Sequence, residues 1–164
     1  LDLLHYCYGV MHDPDYRVKN QEALKRDFPR IPVPTAETLP RARVLRALGE
    51  SLVALHLPDR WDAHPGLTRK NLTVGYLVGD GDNTVVKVVR EPNAVRVNPT
   101  QHFGGVTDEV WEARIGGYQP AQKWLKDRKG RALTSEDILH YRRVCKVLAE
   151  TARLMRELAS VASS

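Results

Sequence analysis

At 164 residues, with 42% hydrophobic and 27% charged content, the chain has enough material for a real core, as one domain or two small ones. Its formal charge of +5 and pI near 9.4 permit a polyanionic partner without demanding one. No apolar run approaches a membrane span, no signal peptide is present, and Cys7, Cys145 and the six histidines form no metal-ligand spacing. Two isolated cysteines fit buried thiols of a cytoplasmic protein. Residue 1 is a leucine already inside an apolar pattern, which reads as a fragment of something larger.

Leu3, Leu4, Cys7, Val10 and Met11 recur at helical spacing and predict a first helix. Asp13-Pro14 reads as the cap and first residue of a second helix, running to about Lys25 with Tyr16, Ala23 and Leu24 inward. Prolines 29, 32 and 34 forbid a helix and impose an extended strap, which also suits a linker between modules. A third helix is predicted from about Leu39 to Leu55, with Leu45, Leu48, Leu52 and Leu55 as its stripe. Residues 58–70 read as loop, with Trp61 as a packing anchor.

The period then changes to two. Leu72, Val74, Tyr76 and Val78 alternate with smaller or polar neighbours, and residues 79–83 make a turn. Residues 85–90 and 94–97 read as two more strands, joined by Glu91-Pro92-Asn93, so the simplest arrangement is a small antiparallel meander. The Gly-Asp-Gly turn matches no phosphate-binding fingerprint, and Asp80 and Asp82 lack the other ligands of a calcium loop. Residues 98–107 read as loop. Thr107 is placed to cap a short helix carrying Trp111.

Residues 110–141 concentrate turn signals, a short basic helix and a helix start. Gly116-Gly117 breaks what precedes, Pro120 suits a first helical turn, and Gly130 stops the helix. Ala121, Trp124 and Leu125 share one side of it, while Lys123, Lys126 and Lys129 point away and Arg131 follows in the loop. That lysine face suits a phosphate backbone, although a solvated helix face has the same pattern. Arg128 falls on the apolar side and reads as structural, paired with Glu112 or Asp137. Thr134 or Ser135 then caps the longest helix, residues 135–159. Its stripe of Ile138, Tyr141, Cys145, Leu148, Ala152, Met155 and Ala159 reads as internal packing in preference to a coiled-coil seam. Asp137 and His140 make no catalytic pair, because no nucleophile or metal completes a site.

Together these elements predict an α+β fold, with helices around a small antiparallel meander and a long C-terminal helix. Two long stretches also resemble a known family. Asp13-Pro14-Asp15-Tyr16-Arg17 with Asp27-Phe28-Pro29-Arg30-Ile31-Pro32 is similar to the segment after the methyltransferase core of large bacterial restriction–modification proteins. Trp111-Glu112-Ala113-Arg114-Ile115-Gly116-Gly117-Tyr118, then Lys123-Trp124-Leu125-Lys126-Asp127-Arg128, then residues 133–141, resembles the C-terminal specificity domain of type ISP enzymes. In that family one polypeptide joins a nuclease, a helicase-like motor, an N6-adenine methyltransferase and a target-recognition domain.

The resemblance implies a reader of double-stranded DNA and not a catalyst. Residues 1–34 would follow the methyltransferase domain of the same polypeptide, and residues 35–164 would recognise DNA. S-adenosylmethionine would serve the parent methyltransferase and no cofactor this fragment. Asn98-Pro99-Thr100-Gln101 only partly imitates the methyltransferase motif, lacking its second proline and its aromatic residue. Chemistry, and not the family, selects the expected DNA contacts: Lys123, Lys126, Lys129 and Arg131 for phosphates, with Tyr118 and Gln119 at the turn and Gln119 able to meet an adenine edge. The competing expectation is a helical docking module that holds neighbouring domains or a protein partner.

Overall fold

Apolar residues at helical spacing in the first sixty positions and alternating ones further on produce two compact units. A computed structural model describes residues 2–77, 80–115 and 117–162; the expectations for Val78, Gly79 and Gly116 fall outside them. One unit comprises Leu1–Arg60 with Glu150–Ser164, the other Trp61–Ala149.

In the first unit, α1 (Asp2–His12) packs along α4 (Leu39–His56). The contact is close because two glycines face it: a Cβ on Gly9 would lie 2.0 Å from the Leu45 carbonyl oxygen, and one on Gly49 1.9 Å from that of His5. Val10, Ala42, Leu45, Leu52 and Leu55 are buried there, as the α4 stripe predicts, although Leu48 is only half-buried. Asp13 caps α2 (Pro14–Lys19) by accepting from the Asp15 N–H at 3.1 Å, and pairs with Arg41 of α4 at 2.6 Å.

The expected single helix to Lys25 is instead two pieces, α2 and α3 (Gln21–Leu24). Asn20 interrupts it by turning its own amide onto the Tyr16 carbonyl at 2.8 Å, the local competition that disfavours asparagine inside helices. Tyr16 is half-buried, but Ala23 and Leu24 are exposed. The proline strap is irregular and tied down by hydroxyls: Tyr6 donates to the Pro32 carbonyl at 2.8 Å and Tyr16 to that of Arg30 at 3.1 Å. It therefore runs within this unit, between two helices of it.

The second unit holds a four-stranded antiparallel sheet of β1 (Gly75–Leu77), β2 (Val89–Glu91), β3 (Ala94–Arg96) and β4 (His102–Gly104), in the order β1-β4-β3-β2. β1 and β2 therefore form no hairpin with each other, since they lie on opposite edges. β4 occupies a segment expected to be loop; Phe103 alone marks it, pairing with both Tyr76 and Val95. The second strand starts late because Val86 and Lys87 both donate to the Val97 carbonyl, at 2.8 and 3.1 Å, a two-against-one kink ahead of β2. Asn93 takes a left-handed φ of 53° in the β2–β3 turn.

Val85, Val95, Val97 and Phe103 pack with Val110 and Trp111 of α5 (Asp108–Glu112), Ala121 and Leu125 of α6 (Pro120–Lys126), and Tyr141, Cys145 and Leu148 of α7 (Ser135–Ala162). Burial pushes the Cys145 thiol up to about 12, so it stays protonated packing material. Further along α7 the buried positions are Leu154 and Leu158, while Ala152 and Met155, expected in the stripe, are only half-buried. Among the described residues no helix is long and apolar enough to cross a membrane.

Candidate nucleic-acid interface

Charge is unequally divided between the units. Residues 61–149 contain 14 Lys/Arg against 10 Asp/Glu, a net of +4, and the rest of the chain 11 against 10, a net of +1. Much of the second unit's positive charge is internally paired: Arg90 with Asp108 at 2.6 Å, Arg96 with Glu91 at 2.7 Å, Arg143 with Asp62 at 2.8 Å. The cations without a carboxylate therefore matter most.

The segment 107–134 builds one edge of this unit. Thr107 accepts from the Val110 N–H at 3.3 Å and starts α5. Gln122 donates to the Trp111 carbonyl at 3.2 Å, joining α5 to α6. Between them Ile115 and Tyr118 exchange backbone bonds of 3.0 and 3.4 Å, and both side chains are half-exposed. Gln119 is the residue ahead of Pro120 at the start of α6. Its amide donates to the Glu112 carboxylate at 2.6 Å.

Helix α6 has the two faces its sequence predicts. Ala121 and Leu125 are fully buried, Trp124 half-buried, and Lys123 and Lys126 exposed. Regular helix stops at Lys126 and not at Gly130. Residues 127–130 tighten into turns, with Arg128 donating to Leu125 and Lys129 to Lys126, so Lys129 lies beyond the helix. Gly130 has φ of 80°, a conformation that suits glycine, and its N–H meets the Val85 carbonyl at 2.7 Å. The Val85 N–H returns to the Arg131 carbonyl at 2.9 Å, and that of Leu133 to Asn83 at 3.0 Å. The segment carrying Lys129 and Arg131 is thus laced to residues 83–85.

Within this surface the cations differ. Lys123 is paired with Asp127 at 2.8 Å, and Lys126 donates to the neutral Gln122 amide at 3.3 Å. Lys129 and Arg131 are exposed and have no side-chain partner among the described residues. Three cations accordingly face outward unneutralised from an anchored edge, with Tyr118 and Gln119 at its start.

Arg128 holds that edge. Its guanidinium centre lies 3.5 Å from the Trp124 ring centroid, Nη1 donates to the Trp124 carbonyl at 3.2 Å, and Nε pairs with Asp137 at 3.3 Å. Of the two expected partners, the structure selects Asp137. That carboxylate also closes a capping box, accepting from the Thr134 N–H at 3.0 Å while its own N–H donates to the Thr134 hydroxyl at 3.1 Å. Burial pushes the Asp137 pKa upward, but Thr134 and Arg128 outweigh it and hold the group below its usual range. His140 stacks on Trp124 with centroids 5.7 Å apart and meets Trp61 at 5.3 Å. Its pKa is lowered, first by burial and then by Arg128. Both members of the Asp137/His140 pair are thus engaged in holding α6, the loop at Trp61 and α7 together.

A polar network behind the sheet escaped the sequence reading. The Asn98 amide donates to Gln101 Oε1 at 2.7 Å and to the Thr84 carbonyl at 3.1 Å, while its oxygen accepts from the Gln101 N–H at 2.9 Å. Tyr76 donates to Gln101 at 3.0 Å. With both ends of its side chain engaged in buried structure, Asn98 does not fit the substrate-binding asparagine of a methyltransferase motif. Among the described residues no cluster of three or more His, Cys, Asp or Glu can hold a metal ion.

The family model described as the Type ISP C-terminal specificity domain matches residues 1–157. Three solved structures share the fold. A nuclease-deletion mutant of the Type ISP restriction–modification enzyme LlaGI, in complex with a DNA substrate mimic, has a TM-score of 0.69 at 19% identity, over 95% of this chain and 13% of that one. The ATP-dependent Type ISP restriction–modification enzyme LlaBIII bound to DNA has 0.70 at 17%, over 96% and 11%. A DrdV–DNA complex has 0.69 at 23%, over 96% and 18%. The chain thus spans less than a fifth of each of these longer proteins. No curated relative matches it.

Proposed function

As a member of the Type ISP C-terminal specificity domain family the chain is a DNA target-recognition domain, and we propose that it reads duplex DNA with the surface of residues 118–131. The observation that carries this reading is the set of unneutralised cations, Lys126 at the end of α6 and Lys129 and Arg131 on the segment laced to residues 83–85. Ordered cations facing outward release counterions from a phosphate backbone without first breaking a carboxylate pair. Lys123 is the weakest contributor, since Asp127 already neutralises it. Tyr118 stands against the DNA at the turn, and Gln119 meets a base edge. Gln119 exchanges its Glu112 bond for an adenine edge, where the amide satisfies N6 and N7 together.

The remaining functions we assign to the parent polypeptide: an N6-adenine methyltransferase using S-adenosylmethionine and acting on cytoplasmic DNA, an activity that type ISP enzymes join to helicase-like and nuclease domains. Residues 1–34 continue from its methyltransferase domain and residues 35–164 carry recognition. Family membership favours this over a module that only docks neighbouring domains.

Fluorescence anisotropy with labelled duplexes at several salt concentrations tests the reading. K126A/K129A/R131A should weaken binding to every sequence and flatten the plot of log K against log salt by about 2.7, near 0.9 per phosphate contact. Gln119→Ala should cost on the order of 1–3 kcal/mol on the preferred site and little elsewhere. A folded triple variant with unchanged affinity and slope would show that this edge is merely solvated.

A further inference from the structure

The loop ahead of β1 carries a second basic element. Residues 65–71 form two 3₁₀ turns, Pro65–Leu67 and Arg69–Asn71, closed when the Asn71 amide donates to the Pro65 carbonyl at 2.7 Å. Leu67 is buried beneath them. Adjacent arginines of α7 hold both sides of the loop: Arg143 Nε donates to the Leu67 carbonyl at 3.2 Å, and Arg142 Nε to that of Val74 at 2.6 Å. The turn between these anchors is therefore fixed, and Arg69 and Lys70 on it are exposed. Neither side chain has a hydrogen-bond or ion-pair partner among the described residues. Asp62, a carboxylate of the same loop, is paired with Arg143. Burial lowers the Arg142 pKa, and Arg69 lowers it further, as uncompensated like charge does.

This turn and the 118–131 edge are mounted on the same part of α7. Trp124 and Arg128 meet Asp137, His140 and Tyr141, while the loop meets His140 through Trp61 and then Arg142 and Arg143. Asp137 to Arg143 covers about 9 Å of helix axis at 1.5 Å per residue.

We propose that the Arg69–Asn71 turn is a second phosphate-contact element, in which Arg69 and Lys70 hold the backbone of the same duplex that the 118–131 surface reads. It rests on the DNA reading above and adds a separate place of contact. A fixed turn presents its two charges with little ordering left to be done on binding, and the polyanion relieves the like-charge repulsion between Arg69 and Arg142.

The test uses the full chain and a fluorescein-labelled duplex of mixed sequence, with anisotropy read between about 50 and 200 mM salt. R69A/K70A should lower the salt slope by about 1.8 and weaken binding about 60-fold at 0.1 M salt, with circular dichroism unchanged. If that variant unfolds, R69Q/K70Q, which keeps much of the side-chain length, gives the same readout. Wild-type affinity and slope in the folded loop variant, alongside loss in K126A/K129A/R131A, overturn this inference and leave the reading of the 118–131 edge standing. A wild-type chain with no salt-dependent binding to the duplex overturns both.

Discussion

Arg128→Ala separates a structural arginine from a DNA ligand. The wild-type side chain is 23% exposed and Asp137 18%, so their pair is partly shielded from water. Stacking at 3.5 Å on Trp124 contributes about 1–2 kcal/mol in such a setting. The bond to the Trp124 carbonyl adds about 1 kcal/mol. The 3.3 Å pair with Asp137 adds about 0.5 kcal/mol, since its geometry is loose and part of it reaches solvent. These contributions overlap, and Asp137 keeps its Thr134 bonds when the arginine is gone, so no stranded carboxylate results. The expected loss is about 2 kcal/mol, which lowers Tm by roughly 4–8 °C in a chain of this size. Thermal unfolding followed by far-ultraviolet circular dichroism measures it. Arg128→Met, which keeps an aliphatic stem over the indole, should recover part of the loss. An unchanged Tm together with a DNA salt slope reduced by about 0.9 would refute the structural assignment and make Arg128 a phosphate contact.

Two further predictions concern the first unit. Gly49→Ala places a methyl 1.9 Å from the His5 carbonyl oxygen, so α1 and α4 must part; the overpacking cost of up to about 3 kcal/mol exceeds the roughly 1 kcal/mol gained in helix propensity, and a urea midpoint equal to wild type would show that the helices do not touch there. Burial, and then nearby His12, holds the His56 pKa down to about 4, while Nδ1 bonds the Tyr8 hydroxyl at 2.7 Å and Nε2 that of Thr151 at 2.8 Å. The folded state thus takes up this proton later than the unfolded chain, so the stability is complete above about pH 6.5 and is lost as pH falls toward 4. Because the ring is partly exposed, that loss should amount to about 1–2 kcal/mol. Urea unfolding at pH 7 and pH 4.5 measures it; His56→Gln should flatten the difference, and an equally steep fall in that variant would locate the effect elsewhere.

Local chemistry made many elements legible. Apolar spacing marked α1 and α4, Thr107 and the Thr134-Ser135 pair announced the helices that Thr107 and Thr134 cap, and the alternation of α6 placed Ala121 and Leu125 inside with Lys123 and Lys126 outside. Each signal acts over a few residues, through turn geometry or the face a helix buries, so it is written in adjacent positions. The charge pattern on which the proposed DNA surface of residues 118–131 rests is local in the same way.

Pairing between distant residues was not. β4 has a single apolar marker, Phe103, and becomes a central strand only because β1 and β3 lie on either side of it; the same order leaves β1 and β2 apart although a turn signal joins them. Which lysine carries usable charge was decided by a neighbour one helical turn away, Asp127 for Lys123 and Gln122 for Lys126. The basic turn at Arg69 and Lys70 had the plainest sequence of all, two cations in a loop. It gained definition only when Arg142 and Arg143, some seventy positions later, took the carbonyls of Val74 and Leu67. Composition and period determined what each segment is by itself, because propensity and capping are local free energies. Strand order, ion-pair choice and loop anchoring depend on which remote groups the folded chain brings within hydrogen-bonding distance, and that only the tertiary structure decided.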